Sequence, residues 1–262
     1  MKIEKVAAVL ASAVATAVTP VHAAEAAPAT TVVLVHGAFA DSSSWNGVAE
    51  RLASKGVKVV AAANPLRSVA EDARYVSSIV DSIDGPVVLV GHSYGGAVIT
   101  NIAATPSKVK ALVYVAAFAP DVGESAGQLA GKFPGGTLGE ALAKPVALPA
   151  GGHDLYIDQN KFWKQFAADV SESQAKLMAA GQRPIAEVAL SEPSKLASWK
   201  QVPSYFIYGS ADKNIPAAGL KFMADRAKSR NTVVVEGASH VVMTSNPEPV
   251  VKLIEQALTE QK

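Results

Sequence analysis

Residues 87–98, VVLVGHSYGGAV, carry four aliphatic residues into Gly91, set Ser93 between His92 and Tyr94, and continue with Gly95 and Gly96. A run that is apolar on consecutive positions suits a strand buried on both faces. The text after it, GGAVITNIAAT, suits a helix. Gly91-His92-Ser93-Tyr94-Gly95 is thus a G-x-S-x-G pattern in a strand-turn-helix setting. There a sharp turn lifts a serine above the end of a sheet, and small neighbours are needed because strand and helix backbones nearly touch. The alternative at this point is an ordinary glycine-rich turn.

Similar apolar runs recur at 31–37 (TVVLVHG), 57–63 (VKVVAAA), 110–118 (KALVYVAAF), 203–209 (PSYFIYG) and 232–237 (TVVVEG). Between and after them, 43–56, 68–85, 216–230 and 246–261 place apolar residues at helical spacing. This alternation predicts an α/β fold, a mostly parallel, doubly wound sheet of about six strands. Its core is expected over 30–119 and 203–262. From Pro120 to Val202 no strand reads convincingly, and helical text such as QNKFWKQFAADV and SQAKLMAAG takes over. A connection of that length in a compact domain is usually functional. It is expected to be a mostly helical cap, 120–202, inserted after the fourth strand, with Tyr156, Phe162, Trp163, Phe166 and Trp199 supplying its buried faces.

The first residues stand apart. Met1–Lys5 hold two lysines, 6–18 is a run of small and apolar residues, and Val21-His22-Ala23 fits a signal-peptidase site, so 1–23 is expected to be a signal peptide. Cleavage after Ala24 or Ala26 fits as well. The mature chain is then exported, periplasmic or secreted, without stable membrane association. Lysine plus arginine (24) nearly balances aspartate plus glutamate (23), so no basic field favours nucleic acid. Small neutral partners are expected. The chain has no cysteine, which excludes disulfides, thiolate metal sites and a cysteine nucleophile. The sequence implies no metal and no organic cofactor: it has neither a phosphate-binding G-x-x-x-x-G-K-S/T loop nor H-E-x-x-H, and its histidines are scattered.

A serine at neutral pH needs a base, and the pattern orders the partners Ser, Asp, His along the chain. Two histidines follow Ser93. His153 falls in the expected cap, whereas His240 follows the last strand candidate, on the sheet edge that carries Ser93. His240 is the expected base. Of Asp121, Asp154, Asp158, Asp169 and Asp212, the last follows the fifth strand of the core in IYGSADKNIP and is the expected orienting acid, with Asp121 the runner-up. The oxyanion donors are expected to be the backbone amides of Tyr94 and Ala38, with Phe39 next after Ala38. Phe39, Phe162, Trp163, Phe166 and Met178 are the candidates for an apolar substrate pocket.

Together LVHGAF, VLVGHSYGG, the GSAD loop and GASHVV resemble the α/β-hydrolase family over essentially the whole mature chain. The branch they resemble holds small bacterial hydrolases related to plant methylesterases and hydroxynitrile lyases. The resemblance implies a Ser-His-Asp hydrolase with Ser93, His240 and Asp212 as its triad. Hydroxynitrile lyases of that branch carry a threonine where this chain has Gly37 and a lysine near the histidine, absent from EGASHVVMTSN, which favours ester hydrolysis. Lactone, amide or thioester hydrolysis and cofactor-free perhydrolysis would use the same groups. A non-catalytic ligand-binding protein of this fold is the alternative from another class.

Overall fold

The computed structural model describes residues 29–260 apart from 104 and 106; the expected signal peptide, 1–23, lies outside them. In chain order the strands are β1 (Thr31–Val35), β2 (Lys58–Ala62), β3 (Val87–His92), β4 (Val109–Val115), β5 (Val146–Ala147), β6 (His153–Leu155), β7 (Ile185–Ala186), β8 (Ser204–Gly209) and β9 (Thr232–Val235). The helices are α1 (Asn46–Ser54), α2 (Val69–Asp81), α3 (Tyr94–Thr100), α4 (Ala126–Ala130), α5 (Leu138–Ala141), α6 (Gln159–Phe166), α7 (Glu172–Gly181), α8 (Glu187–Ser191), α9 (Ala217–Arg226), α10 (Val242–Ser245) and α11 (Pro247–Thr259). Among them no helix is long and apolar enough to cross a membrane.

The six strands expected from the apolar runs form one parallel sheet in the order β2-β1-β3-β4-β8-β9. Every residue of β1 and β3 is buried, which is why those runs lack polar alternation. The chain leaves β1 toward β2 and leaves β3 toward β4, so the strand order reverses between two neighbours. Right-handed crossovers then put α1 and α3 on opposite faces, and a crevice opens where β1 and β3 end. α11 packs on α1, and α2 on α3, completing the two helical layers. Local signals agree: Ser68 caps α2 by accepting from the Glu71 N–H, and Pro247 opens α11.

The segment between β4 and β8 holds five helices, α4 to α8, and also an antiparallel sheet, β5-β6-β7, where no strand was expected. Strands of two or three residues are too short to show a period of two. Their turn is made by Gly151 and Gly152 at φ 91° and 80°, with Leu148 and Gly152 paired at 3.0 Å. Phe162 and Phe166 are fully buried here and Trp199 nearly so. The segment is tied to the core at the ends of β1 and β2. Arg67 donates to Asp154 (2.8 Å) and to the Pro184 carbonyl (3.0 Å), and the Phe39 N–H donates to the Arg183 carbonyl (3.0 Å).

Candidate active site

Ser93 sits at the end of β3 with φ 52° and ψ −123°, a conformation few side chains adopt. The flanking glycines show why the chain tolerates nothing larger: a Cβ on Gly91 would lie 2.6 Å from the Gly95 carbonyl oxygen, and one on Gly95 would collide with that of Val35. The turn presses the start of α3 against the end of β1. Among the described residues the Ser93 hydroxyl has no hydrogen-bond partner, and with His240 Ser93 lines a narrow cavity of about 60 Å³.

His240 lies between β9 and α10. Its Nδ1 donates to Asp212 Oδ2 at 2.7 Å, and both side chains are buried. Asp212 follows β8, and its Oδ1 accepts the N–H groups of Asn214 (2.8 Å) and Ile215 (3.0 Å), which fixes the carboxylate. The pairing leaves Nε2 as the ring nitrogen open to a reacting group. Ser93 and His240 make no direct hydrogen bond, a spacing common before a substrate is bound. A Cβ on Gly209 would collide with the Ala238 carbonyl, so glycine at the end of β8 lets the histidine loop cross in contact.

The loop after β1 passes beside the turn. A Cβ on Gly37 would stand 2.6 Å from Ser93 Cβ and 3.2 Å from the Tyr94 amide nitrogen. The amides of Ala38 and Tyr94 are buried and have no protein acceptor among the described residues, whereas that of Phe39 is taken by Arg183. The amides of Ala38 and Tyr94 thus stand free to donate beside Ser93, and that of Phe39 does not.

The expected pocket aromatics separate. Phe39 and Phe166 line the cavity with Ser93, and Phe166 packs against His240 with ring centroids 5.1 Å apart. Phe162 lies behind Phe166 (5.0 Å), off the cavity wall, and the Trp163 indole donates to the Val170 carbonyl (3.0 Å), also away from the wall. Met178 lines a different, larger cavity of about 510 Å³. Phe162 and Trp163 face the packing of α6 on its neighbours because the helix buries more than the one ring that reaches the site. Asp121 pairs with Lys200 and His153 with Glu187, neither with the triad candidates. Asp158 caps α6.

Three supporting groups were not anticipated. His92 is fully buried and its Nε2 donates to the His240 carbonyl (3.1 Å); burial, then the neighbouring His240, hold its pKa well below the usual histidine range, so it stays neutral. Asp169, after α6, accepts from the N–H (3.0 Å) and hydroxyl of Ser239, steadying the residue before His240. Asp72 of α2 is buried and accepts the Tyr94 hydroxyl at 2.8 Å and the Arg67 N–H at 3.0 Å. Burial pushes the Asp72 carboxyl above its usual range. One signal for it was present: Asp72 falls on the apolar stripe of α2 with Val69, Val76 and Val80. Among the described residues no group of His, Asp and Glu assembles as a metal-ligand set.

The model of the alpha/beta hydrolase family matches residues 32–253. The chain belongs to that family. Curated relatives of this alpha/beta hydrolase include an alpha-hydroxynitrile lyase from Arabidopsis thaliana, 26% identical over 241 residues, covering 82% of this chain and 92% of the relative. A pimeloyl-[acyl-carrier protein] methyl ester esterase from Aeromonas hydrophila is also 26% identical, over 245 residues, 86% of this chain and 93% of that protein. Among solved structures, polyneuridine aldehyde esterase superposes with a TM-score of 0.75 at 22% identity, covering 88% of this chain and 100% of that one, a likeness of fold. Relatives named as esterases support hydrolase activity for this alpha/beta hydrolase.

Proposed function

We propose that this alpha/beta hydrolase cleaves small apolar or neutral carboxylic esters through an acyl-enzyme on Ser93. The observation that carries the reading is His240, held by buried Asp212, lining one cavity with Ser93 and with Ala38 and Tyr94, whose amides have no acceptor among the described residues. Ser93 Oγ attacks the ester carbonyl carbon while His240 Nε2 takes its proton. The carbonyl oxygen becomes an oxyanion held by the two amides, aided by the positive end of α3. The imidazolium, stabilised by Asp212, gives its proton to the departing alcohol. Water then enters, His240 takes its proton, and attack on the acyl carbon releases the acid and restores Ser93.

Ester cleavage is favoured over cyanohydrin cleavage by Gly37. A side chain there would press on Ser93 Cβ and the His92 carbonyl (2.7 Å), leaving this backbone no room for the threonine that the sequence resemblance assigns to the lyases. The test is turnover of p-nitrophenyl esters by wild type, Ser93→Ala and His240→Ala. Both variants should lose on the order of 10⁴-fold or more in kcat while remaining folded. Near-normal turnover by either would refute its assignment.

A further inference from the structure

The cavity beside Ser93 has about 60 Å³ of space, roughly two water molecules' share of liquid volume. An ester has two arms, and this space fits one short arm. Along three consecutive residues the loop after β1 passes from this cavity to the larger one: Ala38 lines the Ser93 cavity, Ala40 lines the cavity of about 510 Å³, and Phe39 lines both. The wall is therefore one residue thick. Its backbone is fixed, at φ 60° with the N–H held by Arg183 at 3.0 Å, and its ring packs edge-on to Phe166 at 6.2 Å.

We propose that the larger cavity, between α7 and the start of α1, is the subsite for the alcohol arm of the ester, with Phe39 as the threshold between the arms and the small cavity holding a short acyl group. This rests on the esterase reading above. The alcohol leaves first and water follows it, so the arm belongs in the wider space, while the acyl group stays in the narrow apolar one. The larger volume lies in the range of small-molecule sites. Its wall combines apolar Leu177, Met178 and Pro247 with the side-chain amides of Asn46 and Gln174, which have no protein partner among the described residues, and with Asp41 and Arg51, which are engaged by the Ser43 N–H and hydroxyl and by Glu248. That lining suits a neutral, ring-sized alcohol bearing a hydroxyl, ether or carbonyl oxygen.

The experiment narrows the larger cavity from opposite sides, with Met178→Trp on α7 and Gly47→Leu on α1, where a Cβ meets nothing closer than 3.5 Å. For each protein the ratio of kcat/KM for 2-naphthyl acetate to that for methyl acetate is measured, with thermal melting to confirm folding. Both substitutions should lower the ratio roughly tenfold. Phe39→Gly, which accepts the positive φ and deletes the ring, should raise the ratio for p-nitrophenyl octanoate over p-nitrophenyl acetate by about as much. If wild type hydrolyses these esters and both filled variants, folded, keep the wild-type naphthyl ratio, the subsite is overturned alone. If wild type hydrolyses no ester, the esterase reading falls and the subsite with it.

Discussion

Ser93, at φ 52°, is strained by the turn that holds it, and the groups around it have little freedom to yield. Gly37 tests how little. A methyl group there would meet Ser93 Cβ at 2.6 Å and the His92 carbonyl at 2.7 Å, neither of them the end of a flexible side chain. Gly37→Ala should therefore lower kcat/KM about 10²–10³-fold, comparable to losing one oxyanion donor, with a lower melting temperature; a near-wild-type rate would show that the loop has slack. Ser93, Asp212 and His240 were legible in the sequence because each follows a strand and the three fall in the required chain order. His92 and Asp169 were not, since each acts through a backbone group distant in sequence, at His240 and Ser239.

Between elements, the buried contact of α2 with α3 passes through one hydrogen bond, Tyr94 to Asp72. It holds the ring of the residue after Ser93 on α2, while leaving its amide beside the Ser93 cavity. Tyr94→Phe would leave Asp72 Oδ2 buried without its donor and should cost about 1–3 kcal/mol in urea unfolding; unchanged stability would mean that the oxygen finds another partner. The four central strands, β1, β3, β4 and β8, were legible because burial on both faces writes itself as consecutive apolar residues, and the half-exposed edge strands β2 and β9 because they keep β-branched runs. The three short strands between β4 and β8 were not, because their pairing is decided by Gly151, Gly152 and by docking on Arg67 rather than by periodicity.

Over the whole molecule, two buried histidines set the response to acid. Burial lowers the pKa of His36 to about 4 from 6.5 and that of His92 in the same direction. The unfolded chain binds protons at both below pH 6.5 while the folded one does not, so their stabilising contribution is complete above 6.5 and is lost as pH falls through about 4. Asp72, with its pKa raised, works oppositely, since its ionisation opposes folding and is relieved on acidification. Urea unfolding at pH 5 should therefore give a lower free energy than at pH 7, with His36 alone contributing about 2 kcal/mol. Equal values would show that the histidines are protonated in the native state.

On the proposed reading all of this serves one chemical event, attack by Ser93. Its most direct measurement is intact-protein mass followed by peptide mapping after treatment with an alkyl fluorophosphonate. A single phosphonyl adduct is expected on the peptide that carries Ser93, absent from Ser93→Ala and formed far more slowly in His240→Ala. A wild-type protein that takes up no adduct, or one that labels equally with Ser93 replaced, would contradict attack by Ser93.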